Sequence, residues 1–155
     1  VSVSERLGAL GVELPGVVPP VAAYIPAKRH DDLVYTSGQL PMVQGALPAT
    51  GKVGEGDGLV SPADAKAYAR QCALNALAAA ASLVGGVDNI TGVLKITGFV
   101  ASVPEFTGQP GVINGASEFL GEVFGDAGAH ARSAVGVPVL PLDSPVEVEV
   151  VFTVS

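Results

Sequence analysis

The stretch Val146-Glu147-Val148-Glu149-Val150-Val151-Phe152-Thr153-Val154 decides the fold class, because its side chains alternate. A strand turns successive residues to opposite faces, so Val146, Val148, Val150 and Phe152 share a buried side and Glu147 and Glu149 share the other. Upstream, a Pro-rich loop separates it from a second strand, Arg132 to Val137. Before that, Pro110 to Phe124 reads as a helix with Val112, Ile113, Ala116, Phe119, Leu120 and Val123 inward, stopped by Gly125. Val93 to Val103 reads as a strand with Gly98 as a bulge, ended by Pro104. A long helix opens with Ser61 as N-cap, Pro62 at its first position and Asp64 in its first turn, and closes at Gly85-Gly86. Ala65, Ala69, Cys72, Ala76, Ala79 and Leu83 mark its inner face, and Asp64, Gln71, Asn75 and Ser82 its wet one.

Toward the N-terminus, the residues from Pro41 to Val60 read as a long loop with a short strand near Ala46. Tyr24 to Gly38 reads as a hairpin turning at His30-Asp31, which pairs Arg29 with Asp32, Lys28 with Leu33, Pro26 with Tyr35 and Tyr24 with Ser37. Pro26 has no N–H and argues for an edge strand. Ser2 and Glu5 have capping-box spacing, and Gly11 ends a short helix before Pro15, Pro19 and Pro20. The division is therefore residues 1–19 as a helix and Pro-rich lead-in, and 20–155 as one domain. The order β-β-(β)-α-β-α-β-β describes an α+β domain with two helices on one face of one sheet. The other sheet face needs a partner.

The chain has 155 residues, enough for one domain with a real core. Charged residues make up only 15%, against about 25% in an ordinary soluble domain, so an oligomer that buries part of the surface is expected. With 8 Lys+Arg against 15 Asp+Glu the formal charge is −7, and no basic cluster is present to neutralise phosphates. Nucleic acid is a poor partner for such a chain. The longest apolar tract, Ala73 to Val84, is interrupted by Asn75 and Ser82 and falls short of the roughly 20 residues a membrane span needs. No signal peptide is evident, and the single Cys72 permits no internal disulfide, so a cytoplasmic location is expected.

No phosphate-binding glycine loop, paired metal-ligand spacing or Gly-x-Ser-x-Gly elbow occurs. His30 reads as a turn residue, His130 as a strand-entry residue and Cys72 as a buried, inert thiol. Ser37 has no neighbouring base to activate it and is left with orienting a ligand. Arg132 stands among Ala131, Ser133, Ala134, Val135 and Gly136. Such a guanidinium either clamps a small carboxylate or pairs with Glu147 or Glu149. Two glutamates on one strand face can divide their roles, one kept partly protonated by the other and exchanging a proton with water.

The stretches Val34-Tyr35-Thr36-Ser37-Gly38-Gln39-Leu40-Pro41, Val112-Ile113-Asn114-Gly115-Ala116 and Ala131-Arg132-Ser133-Ala134-Val135, then Leu140-Pro141 and Val146-Glu147-Val148-Glu149, resemble the RidA (YjgF/YER057c/UK114) family. The resemblance runs from about Pro20 to the C-terminus. It implies a Bacillus chorismate mutase-like fold, a mixed sheet backed by two helices, assembled as a homotrimer with clefts between subunits. It also implies hydrolysis of 2-aminoacrylate or 2-iminopropionate to a 2-keto acid and ammonia, with no metal or organic cofactor. By the same resemblance, Arg132 binds the substrate carboxylate and Glu147 activates water. Tyr24, Ser37, Gly38 and Asn114 line the site, and a backbone carbonyl near Ala134 accepts from the imine nitrogen. Ala134 stands where the deaminase group commonly has cysteine, and Ala22-Ala23 replaces a Gly-Pro. With the N-terminal helix and the Gly-rich loop from Gly45 to Gly58, these features mark a divergent branch. A non-enzymatic carboxylate binder or regulatory protein is the first alternative, and an endoribonuclease or translation inhibitor, a label the family has carried, is the second.

Overall fold

The computed structural model describes residues 1–17 and 22–155. Pro19, Pro20 and the division between residues 19 and 20 lie outside the described residues. The elements run α1 (Val3–Ala9), β1 (Ala27–His30), β2 (Leu33–Thr36), α2 (Pro62–Val84), β3 (Ile90–Ala101), α3 (Gln109–Phe124), β4 (Ala131–Val137) and β5 (Val146–Val154). The five strands form one mixed sheet in the order β1-β2-β5-β3-β4, with only β3 and β4 parallel. The expected α+β class is what forms, with a third, short helix at the N-terminus.

Both long helices begin and end where their caps are. Ser61 Oγ accepts from the Asp64 N–H at 3.1 Å, Pro62 follows it, and Gly85 closes α2 with φ of 84°. α3 ends at Gly125, as expected. The two helices lie against each other very closely at Gly115, where any Cβ would collide with the Lys66 carbonyl. They cover Val148, Val150 and Phe152 of β5, together with Ile96 and Val100 of β3, all of which are buried. Leu83 departs from its expected place and is 44% exposed. Leu14, Pro15 and Val17 share a cleft with Ala78, Ala81 and Ser82, so the last turns of α2 bury a different side. Asn75 is not on a wet stripe either, since its Nδ2 donates to the Leu40 and Met42 carbonyls, both at 3.0 Å. It ties the start of the long loop to α2.

The hairpin register differs from expectation by two. His30 pairs with Leu33, Arg29 with Val34, Lys28 with Tyr35 and Ala27 with Thr36, so the turn is Asp31-Asp32. Asp31 takes φ of 53°, a left-handed conformation that Asp tolerates. β1 is an edge strand, as Pro26 indicated. Tyr24 lies outside it, 58% exposed, and does not face Ser37. The short strand near Ala46 is a single bridge to Val43, and Val53 bridges to Val60 and Ser102.

Gly98 is not a bulge. It stays in register with Val148 and Ala134, and its missing Cβ leaves room for Ile113 of α3. The bulges of β3 fall earlier, where Thr91 and Leu94 are the extra residues against β5. α1 docks on its own chain. Leu7 is buried, and the Ser4 N–H and hydroxyl donate to the Asp88 carboxylate at 2.9 and 2.6 Å. Those bonds, the hydroxyl's foremost, hold the Asp88 carboxyl below its ordinary value. No helix or further strand among the described residues covers the sheet face opposite the long helices. Among the described residues, no helix is long and apolar enough to cross a membrane.

Candidate functional site

The Arg132 half of the site is built where α3 crosses the edge strand β4. Asn114 and Ser117 are three residues apart on α3 and so lie on one side of it, toward β4. Arg132 Nη1 donates to Asn114 Oδ1 at 2.7 Å and to Ser117 Oγ at 3.2 Å. The guanidinium carries five donors in a fixed fork. Nη1 is used by the protein, and among the described residues Nε and Nη2 make no hydrogen bond. That leaves one fork edge free, the geometry a carboxylate takes bidentately. Neither Glu147 nor Glu149 pairs with Arg132, so the structural ion pair is not formed within the chain.

The Glu147 half is built on the opposite face. Between Tyr35↔Val151 and Gln39↔Val148, β2 and its continuation advance four residues while β5 advances three, which places a bulge at Ser37-Gly38. The bulge brings the Gly38 backbone against the Glu147 side chain so closely that a Cβ there would lie 2.8 Å from Glu147 Cδ. Only glycine fits. Half-burial raises the Glu147 carboxyl above its ordinary value, and the nearby Glu149 charge adds to the effect. Ser37 Oγ donates to the Ile25 carbonyl at 2.6 Å, which ties the bulge to the segment that carries Tyr24. Cys72 is fully buried, and that burial, with the Glu147 charge second, pushes its thiol well up. It is no nucleophile.

The two halves do not meet in one chain. Arg132 shares a register row with Ile96 and Val150, on the helix side. Glu147 shares a row with Phe99 and Val135, on the open side. β4 and β5 are separated by β3, roughly 10 Å from strand to strand. Asn114 and Ala134 fall with Arg132, whereas Gly38 falls with Glu147 and Ser37 lies beside it on the same bulge. Ser117 escaped the sequence reading, which gives His130 only as a strand-entry residue. Ser117 joins Arg132 to His130, whose Nε2 lies 2.9 Å from Ser117 Oγ and whose Nδ1 lies 2.6 Å from the Gly128 carbonyl. The available signals were the three-residue spacing of Asn114 and Ser117 on a helix and the two-residue spacing of His130 and Arg132 leading into a strand. Among the described residues, no group of three His, Cys, Asp or Glu could hold a metal ion.

A family model described as "YjgF/chorismate mutase-like, putative endoribonuclease" matches residues 4–153. The chain belongs to the YjgF/chorismate mutase-like family. That match begins sixteen residues before Pro20, where the motif resemblance starts, and so takes in most of α1. A curated relative of this family member, Protein TCP17 of Trypanosoma cruzi, is 36% identical over 148 residues, covering 95% of this chain and 91% of its own. A crystal structure of a protein of unknown function from Agrobacterium tumefaciens is 41% identical with a TM-score of 0.85, covering 99% of this chain and 92% of its own. A Shewanella oneidensis protein, described as a candidate endoribonuclease, is 31% identical with a TM-score of 0.92, covering 99% and 100%. The family match thus takes in most of α1 as well as the sheet and the two long helices.

Proposed function

We propose that this YjgF-family protein is an enamine/imine deaminase that converts 2-imino acids to 2-keto acids and ammonia, in clefts between the subunits of a homotrimer. The observation that carries the reading is Arg132, whose Nη1 is tied to Asn114 and Ser117 while its Nε–Nη2 edge is unbonded. A fixed guanidinium with a free fork and no carboxylate partner suits a small anionic substrate. Glu147 suits the base, because burial and Glu149 raise its proton affinity toward that of a group that exchanges protons with water.

In this reading the substrate carboxylate docks on Arg132 of one subunit, and Glu147 comes from the neighbour. An enamine first tautomerises to the imine. Water then adds to the imine carbon, giving one proton to Glu147, which passes it to the nitrogen that has received the C=N electron pair, so that a neutral carbinolamine forms. Glu147 next takes the carbinol hydroxyl proton and delivers it to the amine as C=O forms and the C–N bond breaks, leaving the 2-keto acid and ammonia. The backbone carbonyl near Ala134 on the open edge of β4 accepts from the imine nitrogen. Holding the carbon, water and base in one geometry supplies much of the acceleration.

The endoribonuclease name attached to the family and to the Shewanella protein is the competing reading. A formal charge of −7 and two glutamates on the uncovered sheet face disfavour a polyanion. The test is a coupled assay in which an amino-acid oxidase generates 2-iminopropionate in situ. The wild type shortens the lifetime of the imine and Arg132→Ala does not. Full-rate hydrolysis by Arg132→Ala in the wild-type oligomeric state would overturn the proposal, as would a single-chain mass by light scattering.

A further inference from the structure

The bond directions around Ser117 are determined by chemistry. The Gly128 carbonyl only accepts, so the His130 Nδ1 at 2.6 Å carries a hydrogen. Arg132 only donates, so Ser117 Oγ accepts from Nη1 at 3.2 Å. With a neutral ring, His130 Nε2 is a lone pair and accepts the Ser117 hydrogen at 2.9 Å. The bonds then run one way, from Arg132 through Ser117 and His130 to Gly128. With a protonated ring Nε2 donates instead. Ser117 Oγ then receives two donors, its own hydrogen is released to seek a new acceptor, and two cations flank one hydroxyl.

Among the described residues, no carboxylate is placed to answer that second state. The charged groups on the elements around the ring are Glu118 and Glu122 of α3, Asp126 of the 3-10 turn Gly125–Gly128, Lys95 of β3 and Arg132 itself. Glu118 is engaged with Lys66 at 2.9 Å. Among the described residues no carboxylate pairs with His130 or Arg132 within 4.0 Å. A carboxylate docked on the free edge of Arg132 would supply what is missing: negative charge beside two cations, and an oxygen able to accept the released Ser117 hydrogen.

We infer that Ser117 and His130 are positioning residues that couple carboxylate binding at Arg132 to uptake of one proton by His130. This rests on the reading of Arg132 as a carboxylate site. Because linkage is reciprocal, a proton on His130 tightens carboxylate binding by the same factor that the carboxylate tightens the proton. The pair therefore acts on affinity for anionic substrate and product, which Glu147 does not need to do.

The test is calorimetric titration of the intact oligomer with pyruvate in buffers of different ionisation enthalpy, from pH 5.5 to 8.5. The wild type takes up a proton on binding, and its Kd weakens with rising pH by at most about tenfold per unit, the limit for one linked proton. Glu147→Gln keeps that uptake. His130→Gln, which retains hydrogen bonding and cannot titrate, binds with no uptake and a flat pH profile, as does Ser117→Ala. Arg132-dependent binding with no proton uptake in the wild type overturns this inference and leaves the carboxylate site standing. So does uptake that persists in His130→Gln. Pyruvate binding that is absent, or equal in Arg132→Ala, overturns the carboxylate site and this inference together.

Discussion

Arg132 and Glu147 project from opposite faces of one sheet, from β4 and β5 with β3 between them. A three-carbon imino acid spans only a few ångströms, so one protomer cannot place both side chains on it. If the two act on one substrate, they act across an interface. The uncovered sheet face carrying Glu147 and the open edge of β4 near Arg132 are the surfaces such an interface would use.

Gly38→Ala tests how Glu147 is held. The added Cβ occupies the space of the Glu147 carboxylate, so that side chain must swing away. Deaminase kcat is expected to fall at least about tenfold, equivalent to about 1.4 kcal/mol in the barrier, with the thermal midpoint little changed. An unaltered kcat would show that the Glu147 position does not matter to the reaction.

Glu149→Gln tests the electrostatics of the pair. Burial is the larger cause of the raised Glu147 proton affinity and the Glu149 charge the smaller, so removing that charge lowers it only in part. A base must be ionised, so the acid limb of the pH–rate profile should move to lower pH. The stability sign follows from linkage. A carboxyl raised in the folded state favours folding below its unfolded value, and that contribution is lost as pH rises through the folded value. Glu147→Gln should therefore raise the thermal midpoint at neutral pH while abolishing turnover, and a lowered midpoint would contradict the burial account.

Gly98→Ala tests the seat of α3. The new methyl would meet Ile113 at 2.5 Å from Cγ1, and overpacking of this kind costs about 1–3 kcal/mol. α3 also carries Asn114 and Ser117, so KM should rise along with the loss of stability. Ile113→Val in the same chain should restore part of both, measured by denaturant unfolding and steady-state kinetics. Additive losses in the double variant would show that the two positions do not touch.

Most of the fold was legible because its signals are local. Ser61-Pro62, Gly85 and Gly125 announce helix ends through caps that need no tertiary partner, and the Val-Glu alternation of β5 reports burial directly. What depends on distant contacts was not legible. Asp31 in a left-handed conformation moved the hairpin turn by one residue, which removed Tyr24 from Ser37. Gly98 was read as a backbone irregularity, but its role is set by Ile113 on another element. In the candidate site, Arg132 and Glu147 could be singled out by residue type, yet their opposite faces follow from how β4 and β5 each register on β3, Arg132 level with Ile96 and Glu147 with Phe99. The Ser117–His130 contact needs α3 laid on β4, and the spacings within each segment give only a shared face, not the contact.

The most direct measurement is complementation between two inactive chains. Arg132→Ala and Glu147→Gln would be co-expressed with different tags, and the mixed oligomers purified through both. In a trimer with head-to-tail sites, each mixed ring holds one intact site in three, so about one third of wild-type turnover of 2-iminopropionate is expected. Mixed trimers as inactive as either parent, beside an active wild type, would contradict the shared site.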